Sequence, residues 1–196
     1  FRVGDFTSPV GRTRTLPAAD ASPEQVRLGI ANCQHFEAGY YAAYRHLAED
    51  DVDLIVHLGD YIYELPATGG PDGNRSSRPA LPPKTLEEFR LRYTSYKTDP
   101  DLQAAHAAVA FTLVWDDHEV SDNYMGDTLP NGDPPEVVRD LRAAAYQAWW
   151  ENLPVRLDPP DGPDLVVYHD VTFGDLARVY LLDERQYADE PPCRGE

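Results

Sequence analysis

The stretch Asp53-Leu54-Ile55-Val56-His57-Leu58-Gly59-Asp60-Tyr61-Ile62-Tyr63-Glu64 decides the fold. Residues 53–57 are rich in Val, Leu and Ile, as in a strand buried on both faces of a parallel sheet, and the run stops at a glycine followed by a carboxylate. Two comparable runs flank it. Residues 26–33 are apolar at alternate points, and residues 111–115 supply a third strand. Helical spacing fills the gaps: Tyr40, Tyr41, Tyr44 and Leu47 recur at intervals of three to four within 37–49. Thr85 followed by Glu88 is a capping box for a helix running to about Tyr96. Asp99-Pro100 opens another through Ala108, and a further helix is expected over 135–151, ending in Trp149-Trp150. Residues 165–173 and 176–182 flank Gly174-Asp175, a hairpin signal. This order of elements predicts an α/β fold with mixed β-sheet layers flanked by helices.

The chain has 196 residues, with 34 Asp and Glu against 17 Lys and Arg, a formal charge of -17. So acidic a surface argues against a nucleic-acid binder, which gains affinity from a basic stripe. It is compatible with phosphate chemistry, because clustered carboxylates recruit cations and cations attract phosphate. No apolar run approaches the length of a membrane span. Two long polar segments, 65–83 and 127–135, read as surface loops. Residues 20–23 read as a turn-rich linker, and Phe1-Arg2-Val3 as a strand without a visible partner. The two cysteines, Cys33 and Cys193, suffice for one disulfide in an oxidising compartment.

Ligands of open α/β sheets collect at the carboxyl ends of the strands. Here all three ends are polar: Ala31-Asn32-Cys33-Gln34-His35, then Gly59 to Glu64, then Trp115-Asp116-Asp117-His118-Glu119-Val120-Ser121-Asp122-Asn123. Asp60 is placed to bridge two cations, one oxygen to each, although an N-cap aspartate has the same local sequence. Tyr63 is three residues on; its phenol, of pKa about 10, becomes a ligand only when a strongly charged ion such as Fe(III) ionises it. Four consecutive titratable groups at 116–119 are unfavourable unless cations or hydrogen bonds offset their repulsion. Asp117 then suits a second ion, His118 a proton donor or charge stabiliser facing substrate, and Asn123 a neutral oxygen for a hard ion such as Ca2+. Cys33 remains open between a small core residue, a nucleophile and a soft metal ligand.

Taken together, Ala31-Asn32-Cys33-Gln34, His57 to Glu64, Trp115-Asp116-Asp117-His118-Glu119 with Asn123, and Leu182-Asp183-Glu184-Arg185-Gln186-Tyr187 resemble the PhoD-type branch of the calcineurin-like metallophosphoesterases. The resemblance implies a metallophosphoesterase-like fold, four-layer αββα in the complete domain, and a metal-dependent hydrolase of phosphate mono- and diesters using Fe3+ and Ca2+. Purple acid phosphatases of the same superfamily share Gly-Asp-x-x-Tyr. By that likeness Asp60 is the bridging carboxylate, Tyr63 the iron-binding phenolate and Cys33 the first iron ligand, while Asp117 and His118 stand where the superfamily has Asn-His. Arg185 falls near the catalytic region, either as a catalytic group or as a structural ion-pair partner.

The resemblance also divides the chain. Residues 1–20 are similar to the end of a β-rich N-terminal domain, and 21–196 to the N-terminal part of the catalytic domain. Such enzymes draw further ligands from a later His- and Asp-containing segment, so the fragment alone is expected to be inactive. A secreted, periplasmic or cell-surface location is implied, with a phosphoester as the partner; the oligomeric state is not legible. Two rival readings stand beside this one. They are a cysteine hydrolase using Cys33 and His118, and a non-catalytic acidic module binding Ca2+.

Overall fold

The computed structural model describes residues 2–66 and 75–189. In chain order its elements are β1 (Arg2–Val3), β2 (Phe6–Thr7), β3 (Leu28–Ala31), α1 (Ala42–Glu49), β4 (Leu54–His57) and α2 (Leu86–Tyr96). These are followed by α3 (Pro100–Ala108), β5 (Phe111–Leu113), α4 (Pro135–Asn152), β6 (His169–Phe173) and β7 (Ala177–Leu181). The run read as a buried strand is β4, the middle of a parallel sheet in the order β3-β4-β5. All four of its residues are buried, which explains why it has no polar alternation. The fold class is α/β as expected, with α1 packing on α3 and α2 on α4. No helix among the described residues is long and apolar enough to cross a membrane.

Local chemistry explains the helix boundaries. Thr85 accepts from the Glu88 amide and Glu88 reaches back to the Thr85 amide, the reciprocal capping box. Asp99 caps α3 through the amides of Asp101 and Leu102, with Pro100 at the first helical position. The helix expected over 37–49 starts only at Ala42. Tyr41 sends its hydroxyl 2.6 Å to the carbonyl of Gln34, and Ala38 closes a turn on His35, so the chain up to Tyr41 is held in a loop against the end of β3.

The strands also differ from expectation in places. The strand anticipated over 165–173 forms only from His169. At Leu165 the main chain is satisfied by a side chain instead: Gln186 accepts from its N–H and donates to its carbonyl, both at 3.1 Å. The hairpin β6-β7 forms its own two-stranded antiparallel sheet and abuts the parallel one, with Thr112 Oγ1 2.7 Å from His169 Nε2. Phe1-Arg2-Val3 was expected to lack a partner. Arg2 and Val3 instead pair with Thr7 and Phe6, the chain reversing through Gly4 at a φ of +58°. The segment read as a linker at 20–23 is tied down too. Ala21 accepts from the Asp175 amide at 3.0 Å, and Ser22 donates to the Asp175 carboxylate at 2.7 Å.

The core joins the sheet to α2 and α4. Trp115, just past β5, stacks on Tyr146 of α4 at 4.0 Å and meets Trp149 edge-on, pairs that add about 0.5–1.5 kcal/mol each beyond area burial. Its indole N–H donates to Asp183 at 3.1 Å. The residue immediately before the acidic run 116–119 is thereby fixed on three sides.

Candidate metal centre

The loops leaving β3, β4 and β5 lie against one another. Leu58 donates to Ala31, Cys33 to the Gly59 carbonyl at 3.2 Å and Gln34 to the Asp60 carbonyl at 3.1 Å. Gly59 has a φ of +107°, and a Cβ built there would fall 2.2 Å from the Asp116 amide nitrogen. Only a glycine lets the β4 loop come this close to the β5 loop. Among the described residues, three non-glycines adopt left-handed backbone: Cys33, Asp60 and Asn123, at φ of +53°, +54° and +56°. All three are candidate ligands, and strain of this kind concentrates at functional sites.

Asp60, Asp117 and His118 each offer a ligand atom, and the three atoms lie within 4.8 Å of one another. Asp60 is buried. Its Oδ2 accepts from the Tyr63 hydroxyl at 2.9 Å, whereas Oδ1 is buried with no hydrogen-bond partner among the described residues. An ionised oxygen left so is strongly unfavourable, and a bound cation would satisfy it. Burial pushes the Asp60 carboxyl above its usual range, against the Tyr63 hydrogen bond and the charge of His118. The Tyr63 phenol is driven well above its ordinary value by burial and by the adjacent Asp60 charge, so without a cation it stays a neutral donor. The donor set of carboxylates, phenol, imidazole and thiol suits a metal ion.

Tyr63 is set in place from α2. Its amide donates to the Tyr96 hydroxyl at 2.9 Å, and its carbonyl accepts from the buried guanidinium of Arg92 at 3.0 Å. Its ring stacks on His118 at 4.1 Å and tilts against His35 at 4.3 Å. The Cys33 thiol lies beside Asp60 and Tyr63, close enough to feel both groups, on the Asp60 side of the cluster. Burial and the Asp60 charge push this thiol up to about 11, the reverse of what a nucleophile needs. That disfavours a cysteine hydrolase. Cys33 is a free thiol; Cys193 lies outside the described residues.

His118 Nδ1 lies 2.7 Å from Glu64 Oε2, while the other Glu64 oxygen accepts from the Asp122 amide at 2.7 Å. Burial disfavours the imidazolium, but the Glu64 hydrogen bond and charge, with Asp117 and Asp60, outweigh it and raise His118 to about 9. A cationic His118, partly exposed and close to the Asp60 and Asp117 carboxylates, is suited to holding an anionic substrate or giving up a proton. Asp117 accepts from the Asn123 amide at 2.6 Å through Oδ2 and from Arg185 Nη2 at 3.2 Å through Oδ1. Arg185 also binds Asp116 through Nε. It is thus an ion-pair partner of the acidic run, set beside the candidate ligands. Asn123 meets the cluster through its backbone, its side-chain NH2 donating to Asp122 at 2.9 Å.

The repulsion expected within 116–119 is offset by identifiable partners: Arg185 for Asp116 and Asp117, Glu64 for His118, and main-chain amides for Glu119. Glu119 is fully buried and accepts from the amides of Asp60, Tyr61 and Asp116. Burial and the charge of Asp60 push it up to about 8, against those three amide bonds. Sequence reasoning did not assign Glu64 or Glu119. Both lie inside the quoted strand-end clusters, and the signal available for Glu64 was its place in the same short run as Asp60 and Tyr63.

Comparison with known proteins bears on the whole arrangement. The family model of the PhoD-like phosphatases matches residues 28–196. Alkaline phosphatase D of Bacillus subtilis (strain 168) is 43% identical over 197 residues, covering 97% of this chain and 33% of that protein. A solved structure of PhoD superposes with a TM-score of 0.89 at 43% identity, covering 95% of this chain and 36% of that one. The chain spans about a third of the length of these relatives.

Proposed function

The chain belongs to the PhoD-like phosphatase family, and from that premise we propose that its strand-end cluster takes part in metal-dependent hydrolysis of phosphate mono- and diesters. Asp60 and Asp117 are the carboxylate ligands, Tyr63 and Cys33 bind on the Asp60 side, and Asn123 supplies a neutral oxygen on the Asp117 side. The proposed ions are Fe3+ and Ca2+. Bound here, they would neutralise phosphoryl oxygens and lower the pKa of the attacking water.

The protein's own groups have separate tasks. His118, held by Glu64, faces the substrate and either donates a proton to the leaving oxygen or offsets its charge. Arg185 restrains Asp116 and Asp117 and keeps Asp117 aimed at the cluster. We also read the protein as secreted, periplasmic or cell-surface, a reading supported by the likeness to alkaline phosphatase D.

The observation that carries this reading is the partnerless buried Oδ1 of Asp60, within 4.8 Å of ligand atoms from Asp117 and His118. The test is Asp60→Asn in the full-length protein, read by elemental analysis and by turnover of a chromogenic phosphodiester. Metal and activity are expected to disappear together. Undiminished metal content with undiminished turnover would sink the assignment.

A further inference from the structure

Glu119 is not among the candidate ligands, yet it is the most deeply enclosed carboxylate beside them, at 0% exposure. Its Oε1 accepts from the Tyr61 amide at 2.6 Å. Its Oε2 accepts from the Asp60 amide at 3.0 Å and the Asp116 amide at 2.9 Å. All three partners donate, and among the described residues none accepts from Glu119, so every contact it makes uses it as an acceptor.

The placement of those amides matters more than their number. Asp60 and Tyr61 belong to the loop after β4, and Asp116 to the loop after β5. One carboxylate therefore ties together the two loops that carry Asp60 and Asp117. Asp60 is itself a donor, in a left-handed conformation that the chain does not hold unaided, and Asp117 is the residue next to Asp116. The tie lies beside the place where Gly59 brings the two main chains into contact. We infer that Glu119 is a positioning residue: through three backbone amides it fixes the separation of Asp60 and Asp117 before a cation arrives.

This inference rests on reading Asp60 and Asp117 as metal ligands. Ligands already in place need less ordering on binding, so loosening the tie should weaken cation affinity. A merely stabilising Glu119 would lower the melting temperature and leave the cation equilibrium of the folded molecules unchanged. Glu119→Gln conserves the shape but sets an NH2 against at least one of the three N–H groups. Glu119→Asp keeps the carboxyl group and draws both oxygens back by a methylene.

The experiment uses the full-length protein stripped of metal and titrated with Ca2+ alone by calorimetry. Both variants are expected to bind about 10- to 100-fold more weakly than wild type, with Glu119→Asp the milder. A folded Glu119→Gln protein binding Ca2+ as wild type does would overturn the proposal. Should neither variant fold, amide hydrogen exchange in metal-free wild-type protein decides. Tyr61 and Asp116 are expected to be protected as well as the amides of β4, and fast exchange at both refutes a preformed tie. Wild-type protein that binds no Ca2+ while those amides stay protected would instead sink the metal reading and leave the tie intact.

Discussion

Replacing Gly59 by alanine tests whether the contact between the two ligand-bearing loops is as close as it looks. The added Cβ falls 2.2 Å from the Asp116 nitrogen, 2.5 Å from the Trp115 carbonyl carbon and 2.6 Å from Asp116 Cβ. Two of these are main-chain atoms, and Trp115 is pinned by Tyr146, Trp149 and Asp183. The loops must therefore part by about 1 Å to reach ordinary contact distance, as in overpacking that typically costs about 1–3 kcal/mol. Alanine at a φ of +107° adds strain of about 1–3 kcal/mol. A total of about 2–6 kcal/mol is large against typical stabilities of 5–15 kcal/mol.

Gly29→Ala is the control. Its Cβ would meet Leu47 Cδ2 at 2.9 Å and Ile55 Cγ1 at 3.3 Å, both side-chain atoms and the nearer one the far end of a partly buried leucine, and its φ is not left-handed. Urea unfolding of the full-length protein, with cation binding measured in parallel, compares the two. Gly59→Ala is expected to lose far more stability than Gly29→Ala and to lose cation binding even where it remains folded. Equal losses from the two substitutions, or a Gly59→Ala protein that unfolds at the wild-type midpoint, would refute the reasoning.

Three further expectations follow from the geometry. Iron-loaded full-length protein should absorb in the visible through a phenolate-to-metal band that Tyr63→Phe removes; an unchanged spectrum would assign the band to another ligand such as Cys33. His57 is buried and, by desolvation and the neighbouring His106, held neutral down to about 3 against an ordinary 6.5, so the unfolded chain binds a proton in that window and the native one does not. Stability should then fall by on the order of a few kcal/mol as pH drops from about 6.5 to 3, and His57→Asn should flatten that slope measurably in pH-dependent denaturation. Lastly, residues 1–196 expressed alone should show no metal-dependent turnover of a phosphodiester, since the described residues group only Asp60, Asp117 and His118 at ligand distance; turnover matching the full-length protein would show that the site closes within this span.

What could be read from the sequence was what adjacent residues determine. The buried β4, the capping box at Thr85, the Asp99 cap and the three polar strand ends are each set by neighbours within a few positions. Reading failed where a distant side chain replaced a main-chain partner. Residues 165–168 have strand composition, yet Gln186 satisfies Leu165 and the ladder begins later. Glu119 looked like one more charge in an acidic run, because the three amides it gathers come from two loops more than fifty residues apart in sequence. Arg185 was legible as near the site, but its contacts with Asp116 and Asp117 come from residues nearly seventy positions away and were not.

The tie between Ser22 and Asp175 spans 153 residues, and Arg185 reaches back 69 residues to Asp116. At synthesis rates of about 5–20 residues per second, the ribosome needs roughly 8–30 s to deliver Asp175 after Ser22 has been made, and roughly 3–14 s to deliver Arg185 after Asp116. Once Leu113 has been made the β3-β4-β5 strands can be complete, while Asp116 and Asp117 still await Arg185 and Ala21 and Ser22 still await Asp175. The nascent chain thus carries Asp116 and Asp117 without their arginine until Arg185 is made, which makes early exposure of these carboxylates to cations, or shielding from them, a matter of the timing of synthesis.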